Sequence, residues 1–85
     1  PDQEVIAAYA ATGQFDKIVA IWNDKVASEP SNPQFYLALA AAYYADRQDS
    51  LAISSLQKMG KLSDEAQKQA DHFIGQIKAG TLPRQ

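Results

Sequence analysis

Few side chains in this sequence are of the types that do chemistry, and their spacing does not bring them together. His72 is the only histidine, and its neighbour Asp71 would point in a different direction on a helix. Ser54 and Ser55 have no histidine at helical spacing that could act as their base. The chain has no cysteine and no glycine-rich phosphate loop. We therefore expect no catalytic residue, no metal site and no cofactor, and we expect that the protein is not an enzyme.

Length and composition predict one folded domain that binds no nucleic acid and does not insert into a membrane. The chain has 85 residues, of which 46% are hydrophobic and 21% are charged. The net charge of -2 is unlike that of a phosphate-binding protein. No apolar run approaches the ~20 residues that a membrane-spanning helix needs, and no signal peptide is evident. Because the chain begins at Pro1 without a methionine, we expect it to be a piece of a longer protein, with its cell compartment left open.

Start and stop signals divide the chain into helices. Asn32 followed by proline, and Ser63 followed by two acidic residues, are typical helix N-termini. Gly13 and Gly80 are suited to the left-handed conformation that ends a helix. These signals and the apolar spacing predict five helices, at 2–11, 15–28, 33–45, 50–60 and 64–79.

The helix predicted at 33–45 is apolar on nearly all sides, so it requires neighbours on more than one side. The helix predicted at 64–79 is apolar on one side and polar on the other. The second pattern is typical of a terminal helix that closes a stack, because nothing packs on its outer face. The sequence therefore predicts an all-α stack of helices.

A short pattern repeats along the chain with a period of 34 residues. The sequence Ala-Ala-Tyr-Ala-Ala at 7–11 recurs as Ala-Ala-Tyr-Tyr-Ala at 41–45. With this period and two helices per unit, the chain resembles the tetratricopeptide repeat (TPR) family. In the second unit the packing positions of that family are occupied by Tyr36, Leu39, Ala40, Tyr43, Ala52, Leu56 and Met59. The first unit matches at Gly13, Tyr9 and Pro30, and the same register reaches Ala70, Phe73, Ile74 and Ile77 in the last helix.

The resemblance implies a right-handed α-solenoid of antiparallel helix hairpins. One domain would span 1–80, with repeats at 1–32 and 33–62, a capping helix at 63–80 and a flexible tail at 81–85. Some positions depart from the family pattern. Arg47 stands where the family has glycine at positive φ, and Met59 and Lys25 replace a small residue between helices, which predicts looser packing there. Asp2 at the first packing position suggests an atypical first helix.

The family binds its partners mainly in a concave groove that the first helix of each repeat lines. In this chain that groove would be small and apolar, with Leu37 and Tyr44 as its larger side chains, unless these two only cover neighbouring helices. The residues at the groove positions are Gln3, Ala7, Ala10, Ala11, Gln34, Leu37, Ala38, Ala41, Tyr44, Ala45, Asp71, Gly75 and Lys78. Some members of the family grip a C-terminal carboxylate, but of the five positions that would do so only Lys68 has the expected chemistry.

The resemblance therefore implies a non-catalytic protein–protein interaction module that binds a peptide or a helix in the groove. Its partners would be a protein or peptide, upstream repeats of the parent chain, or a second copy bound through the N-terminal helix at Val5, Ile6 and Tyr9. The alternative is a structural C-terminal cap or spacer with no ligand of its own. The sequence Ile-Lys-Ala-Gly at 77–80 is similar to repeats appended to bacterial envelope polysaccharide ligases, so the parent would then be a larger membrane or envelope enzyme.

Overall fold

The structure, a computed structural model, describes residues 2–84 and contains helices and no strands in that range. The helices are α1 (Asp2–Ala11), α2 (Phe15–Ser28), α3 (Pro33–Ala45), α4 (Asp49–Gly60) and α5 (Asp64–Ala79). Each helix packs against the next one along the chain, which gives a slab of about 34 × 30 × 16 Å. The predicted all-α class and helix positions are confirmed. Within the described range, no helix has the length and apolar character that crossing a membrane requires.

The two predicted N-caps are present. The Asn32 side chain accepts a hydrogen bond from the backbone N–H of Gln34 at 3.0 Å, and Pro33 occupies the first turn of α3. The Ser63 hydroxyl accepts one from the backbone N–H of Ala66 at 3.0 Å. Each cap satisfies a backbone donor that has no partner within its own helix, and so fixes where that helix begins.

The same turn ends α1 and α3. After α1, the N–H groups of Gly13 and Gln14 donate to the carbonyls of Ala10 and Tyr9, at 3.2 and 2.8 Å. After α3, the equivalent bonds join Arg47 to Tyr44 and Gln48 to Tyr43, at 3.1 and 2.9 Å. This pair of bonds defines the Schellman motif, in which the residue after the helix is left-handed. Gly13 has φ 72° and Arg47 has φ 59°, so the prediction that Arg47 adopts a glycine-like conformation is confirmed.

A first hydrophobic cluster joins α3, α4 and α5. Leu56 and Met59 of α4 lie at its centre and are almost completely buried. Small side chains let the helices approach closely, and Ala52 and Ala70 are fully buried between them. Met59, where the sequence predicts looser packing, is completely buried within this cluster.

A second cluster joins α2 and α3. It contains Ile18, Val19, Leu39 and Ala42, with Trp22 packed against it at half burial. By contrast, α1 has no buried residue. The N-terminal end of the slab is therefore attached through one partly exposed helix.

An ion pair links α1 to α2. The Nζ atom of Lys25 lies 2.7 Å from Oδ2 of Asp2, and the same ammonium group lies 5.7 Å from the ring centroid of Trp22. The hydrogen bond from Lys25, together with its charge, lowers the pKa of the Asp2 carboxyl group. Lys25 is half-buried, so its stem covers apolar surface while its head pairs with the other helix.

Candidate partner groove

An apolar cavity of about 450 Å³ lies between α3, α5 and the segment that follows α5. Helix α3 contributes the side of the cavity that the sequence predicts, and α5 contributes aromatic and aliphatic side chains opposite. The lining residues are Leu37, Ala40, Ala41, Tyr44, Ala45, Leu56, Phe73, Ile77, Leu82, Pro83 and Arg84. Nearly all of the side chains that face the cavity are apolar, so it can accept an aliphatic or aromatic group but offers few hydrogen bonds inside.

The structure brings together only part of the predicted groove. Leu37, Ala41, Tyr44 and Ala45 all line the cavity. The α1 positions lie elsewhere: Gln3, Ala7 and Ala11 are exposed, and Ala10 packs against the second cluster. Gln34 and Lys78 are exposed and do not line the cavity. Asp71 and Gly75 are also exposed and do not line the cavity. Ala38 is half-buried and does not line it either.

The chain's own C-terminal segment forms one wall of this cavity. The sequence predicts a flexible tail at 81–85, whereas in the described part of it Leu82 packs against the first cluster. The Tyr44 hydroxyl donates a hydrogen bond to the Leu82 carbonyl. Tyr44 is consequently only 8% exposed, so this predicted partner contact is covered by the chain itself. Gln85 lies outside the described residues.

Arg84 is held by four contacts at the edge of the cavity. Its Nη1 atom donates to the backbone carbonyl of Tyr44 and to Oδ1 of Asp49, both at 2.8 Å, and Nη2 donates to Oδ2 of Asp49 at 3.2 Å. The guanidinium carbon also lies 3.9 Å from the ring centroid of Tyr44. A bidentate pair combined with stacking on a ring is an arrangement specific to arginine, since a lysine ammonium cannot form it.

Charge and hydrogen bonding at this edge favour the ionised pair. The hydrogen bond from Arg84 lowers the pKa of Asp49, with further contributions from the charges of Arg84 and Arg47 and some opposition from desolvation. The hydrogen bond to Asp49 in turn raises the pKa of Arg84. We refer to Tyr44 and Asp49 together as the arginine clamp.

The contact between Arg84 and the arginine clamp could not be predicted from the sequence, because periodicity does not detect residues of this kind. Leu82 and Arg84 follow the Gly80 stop, in a segment with no helical pattern. Asp49 lies in the first turn of α4, where an acidic residue is common and gives no sign of a binding site. One signal was available: a tyrosine buried at 44 requires a partner for its hydroxyl group.

The side chains of the types that do chemistry do not form a group with one another. His72 is exposed, and its ring packs against that of Phe73 with centroids 5.5 Å apart. Lys58 follows Ser54 by one helical turn, but no hydrogen bond joins the two side chains, and Lys58 is exposed. Across residues 2–84, no group of three or more histidine, aspartate or glutamate side chains is placed to hold a metal ion.

No family model, curated protein or solved structure matches this chain. The structure on its own defines an all-helical protein whose consecutive helices pack together and whose C-terminal segment lines an apolar cavity.

Proposed function

We propose that this protein is a non-catalytic protein–protein interaction module that binds an extended peptide in the cavity beside α3. The observation that carries this proposal is that residues 82–84, a non-helical stretch of the same chain, already pack against α3 at the wall of this cavity, as a bound peptide would. This stretch is held through both an apolar side chain and a main-chain carbonyl, those of Leu82. Those are the two kinds of contact by which grooves recognise extended segments.

We also propose that the helices form a right-handed, TPR-like solenoid of two hairpins and a capping helix. The support is the repeated Schellman turn, since the bonds at Gly13 and Gln14 recur at Arg47 and Gln48, 34 residues later. In both hairpins this turn is carried by a three-residue connection, at 12–14 and 46–48, so the two helix pairs are joined in the same way. The one-sided apolar face of α5 suits a capping helix.

A second function is favoured by the N-terminal end of the molecule. Helix α1 has no buried residue, and Val5 is 43% exposed. An apolar side chain in that position suits packing on an upstream helix. The module would then be a structural cap or spacer on a larger enzyme, for instance one of the bacterial membrane or envelope, with no ligand of its own.

The first function can be tested by peptide selection with matched variants. Random peptides would be selected on the full chain and then measured against Ala41→Glu and Ala20→Glu. Both alanines are exposed helix residues, but only Ala41 lines the cavity. We expect selected peptides to bind the unaltered chain and the Ala20→Glu variant equally, and to bind Ala41→Glu at least tenfold more weakly. Peptides that bind all three equally would favour the structural cap.

A further inference from the structure

We propose that the arginine clamp is a recognition subsite, and that the partner is an extended peptide with an aliphatic residue followed two positions later by an arginine. This inference rests on the proposed function. Leu82 and Arg84 of the chain's own tail have this spacing and occupy the site in the structure. The tail is therefore a competitor that the partner must displace.

The clamp is selective for a guanidinium group. Both oxygens of Asp49 accept from the two terminal nitrogens of Arg84, while the Tyr44 carbonyl accepts a further bond. The ring of Tyr44 covers the face of the guanidinium at 3.9 Å. A planar donor with several N–H groups satisfies all of these contacts at once, whereas lysine would satisfy one or two. The position of the arginine in a bound peptide is thus defined.

The aliphatic position is defined by the same tyrosine. Its hydroxyl group holds the carbonyl of Leu82, so the residue two positions before the arginine is fixed against α3. The Leu82 side chain packs on the first cluster, and the cavity continues beside it toward Leu37 and Phe73. A peptide with a larger apolar side chain at this position would fill space that Leu82 leaves open.

The tail is attached in a way that allows exchange. The side chain of Asp49 is 43% exposed and that of Arg84 is 23% exposed, so water competes for their contact. No helix follows α5 in the described residues, and the docked stretch is only three residues long. Its advantage over a free peptide is its tether, which gives an effective concentration on the order of millimolar.

The test uses the full chain and a labelled peptide with the sequence of residues 80–85, capped at both ends. Binding would be measured by fluorescence anisotropy to the unaltered chain, to the double variant Leu82→Ser and Arg84→Gln, and to the control Leu51→Ser and Lys61→Gln. The control changes an exposed leucine and an exposed lysine away from the site. If the tail is docked about nine-tenths of the time, only about a tenth of the unaltered chain is free to bind the peptide, and its apparent affinity for the peptide is about tenfold lower. We therefore expect the tail variant to bind the peptide about tenfold more tightly than the other two proteins.

Two further measurements test the chemistry of the subsite. Replacing arginine by lysine in the peptide should weaken binding to the tail variant at least tenfold, and adding Asp49→Asn to that variant should do the same. Equal binding of the lysine peptide, or no binding to a tail variant that retains its helical circular dichroism, would overturn the subsite. A concentration-dependent dimer of the unaltered chain that Arg84→Gln abolishes would place a second copy's tail in the site and overturn competition within one chain.

These outcomes are separate from failure of the proposed function. If peptide selection returns sequences that depend on Ala41 but need no arginine, the interaction module stands and the arginine subsite is wrong. If selection finds no peptide that depends on Ala41, the proposed function itself fails.

Discussion

Asp2 and Lys25 form an ion pair at 2.7 Å at the two positions that Tyr36 and Met59 occupy 34 residues later in the chain. In the second hairpin these positions are apolar, and Met59 is completely buried. In the first hairpin they are charged, and the side chain of Asp2 is 62% exposed. The two hairpins thus share a pattern of turns, but different interactions stand at these equivalent positions: an exposed ion pair in the first hairpin and buried packing in the second.

The Asp2–Lys25 pair should make the attachment of α1 sensitive to salt. Because the pair is exposed, we expect that 1 M NaCl or the substitution Asp2→Asn speeds amide hydrogen exchange in α1 and leaves α4 and α5 unchanged. Glu4→Gln is the matched control, since Glu4 is an exposed acid of the same helix turn. Equal exchange rates in Asp2→Asn and Glu4→Gln would show that the pair does not hold the helix.

Met59→Ala should strongly destabilise the protein. The side chain is fully buried among α3, α4 and α5, and truncation of such a residue costs about 2–5 kcal/mol through lost burial and the cavity left behind. Urea denaturation followed by circular dichroism would measure the change in the free energy of unfolding. Leu51→Ala is the control, because Leu51 is an exposed leucine of the same helix, and a comparable loss there would contradict the assignment of the core.

Arg47→Gly should stabilise the protein by up to about 1 kcal/mol. Arg47 has φ 59°, a conformation in which an L side chain is strained and glycine is not. The reverse change is available at the equivalent turn, where Gly13 has φ 72° and open space around it. We expect Gly13→Ala to lower the midpoint of thermal unfolding and Arg47→Gly to raise it. A lower midpoint for Arg47→Gly would mean that the arginine side chain makes a compensating contact.

Acid should release the tail from the arginine clamp. The pKa of Asp49 lies below its ordinary value of 3.8, so the contact with Arg84 is fully present above that value. It is lost as pH falls below 3.8 and Asp49 takes up a proton at its lowered pKa. The NMR signals of the Leu82 and Arg84 amides should follow this titration while the helical circular dichroism is retained. In Asp49→Asn the same signals should already be shifted at neutral pH and should show no step.

Sequence alone predicted the elements of this fold well because its helix signals are local. The caps at Asn32 and Ser63 and the stop at Gly80 each depend on a few neighbouring residues, and each is present. The sequence could not decide how Met59 packs, because a large side chain between helices is accommodated according to its neighbours; it is completely buried in a cluster that includes small residues such as Ala52 and Ala70. How a large side chain fits among its neighbours is a property of the assembled helices.

Of the candidate site, the sequence predicted only the residues that α3 contributes. The resemblance to the repeat family predicted Leu37, Ala41, Tyr44 and Ala45 as groove residues, and these lie on the face of α3 that lines the cavity. It could not place Arg84 beside Asp49, because the two residues lie 35 positions apart and Arg84 lies outside the predicted repeats. Contacts between a helix and a non-helical segment depend on where the chain turns after Gly80, and no sequence spacing encodes that distance.

Helix α3 takes part in both hydrophobic clusters, with Leu39 and Ala42 in one and Ala40 and Tyr44 in the other. Tyr43 packs against both clusters. Neither half of the slab can therefore lose α3 without exposing the apolar surface of the other half. The consequence is thermodynamic cooperativity: we expect α2 to α5 to unfold in one all-or-none transition, and α1 to be the part that can open by itself.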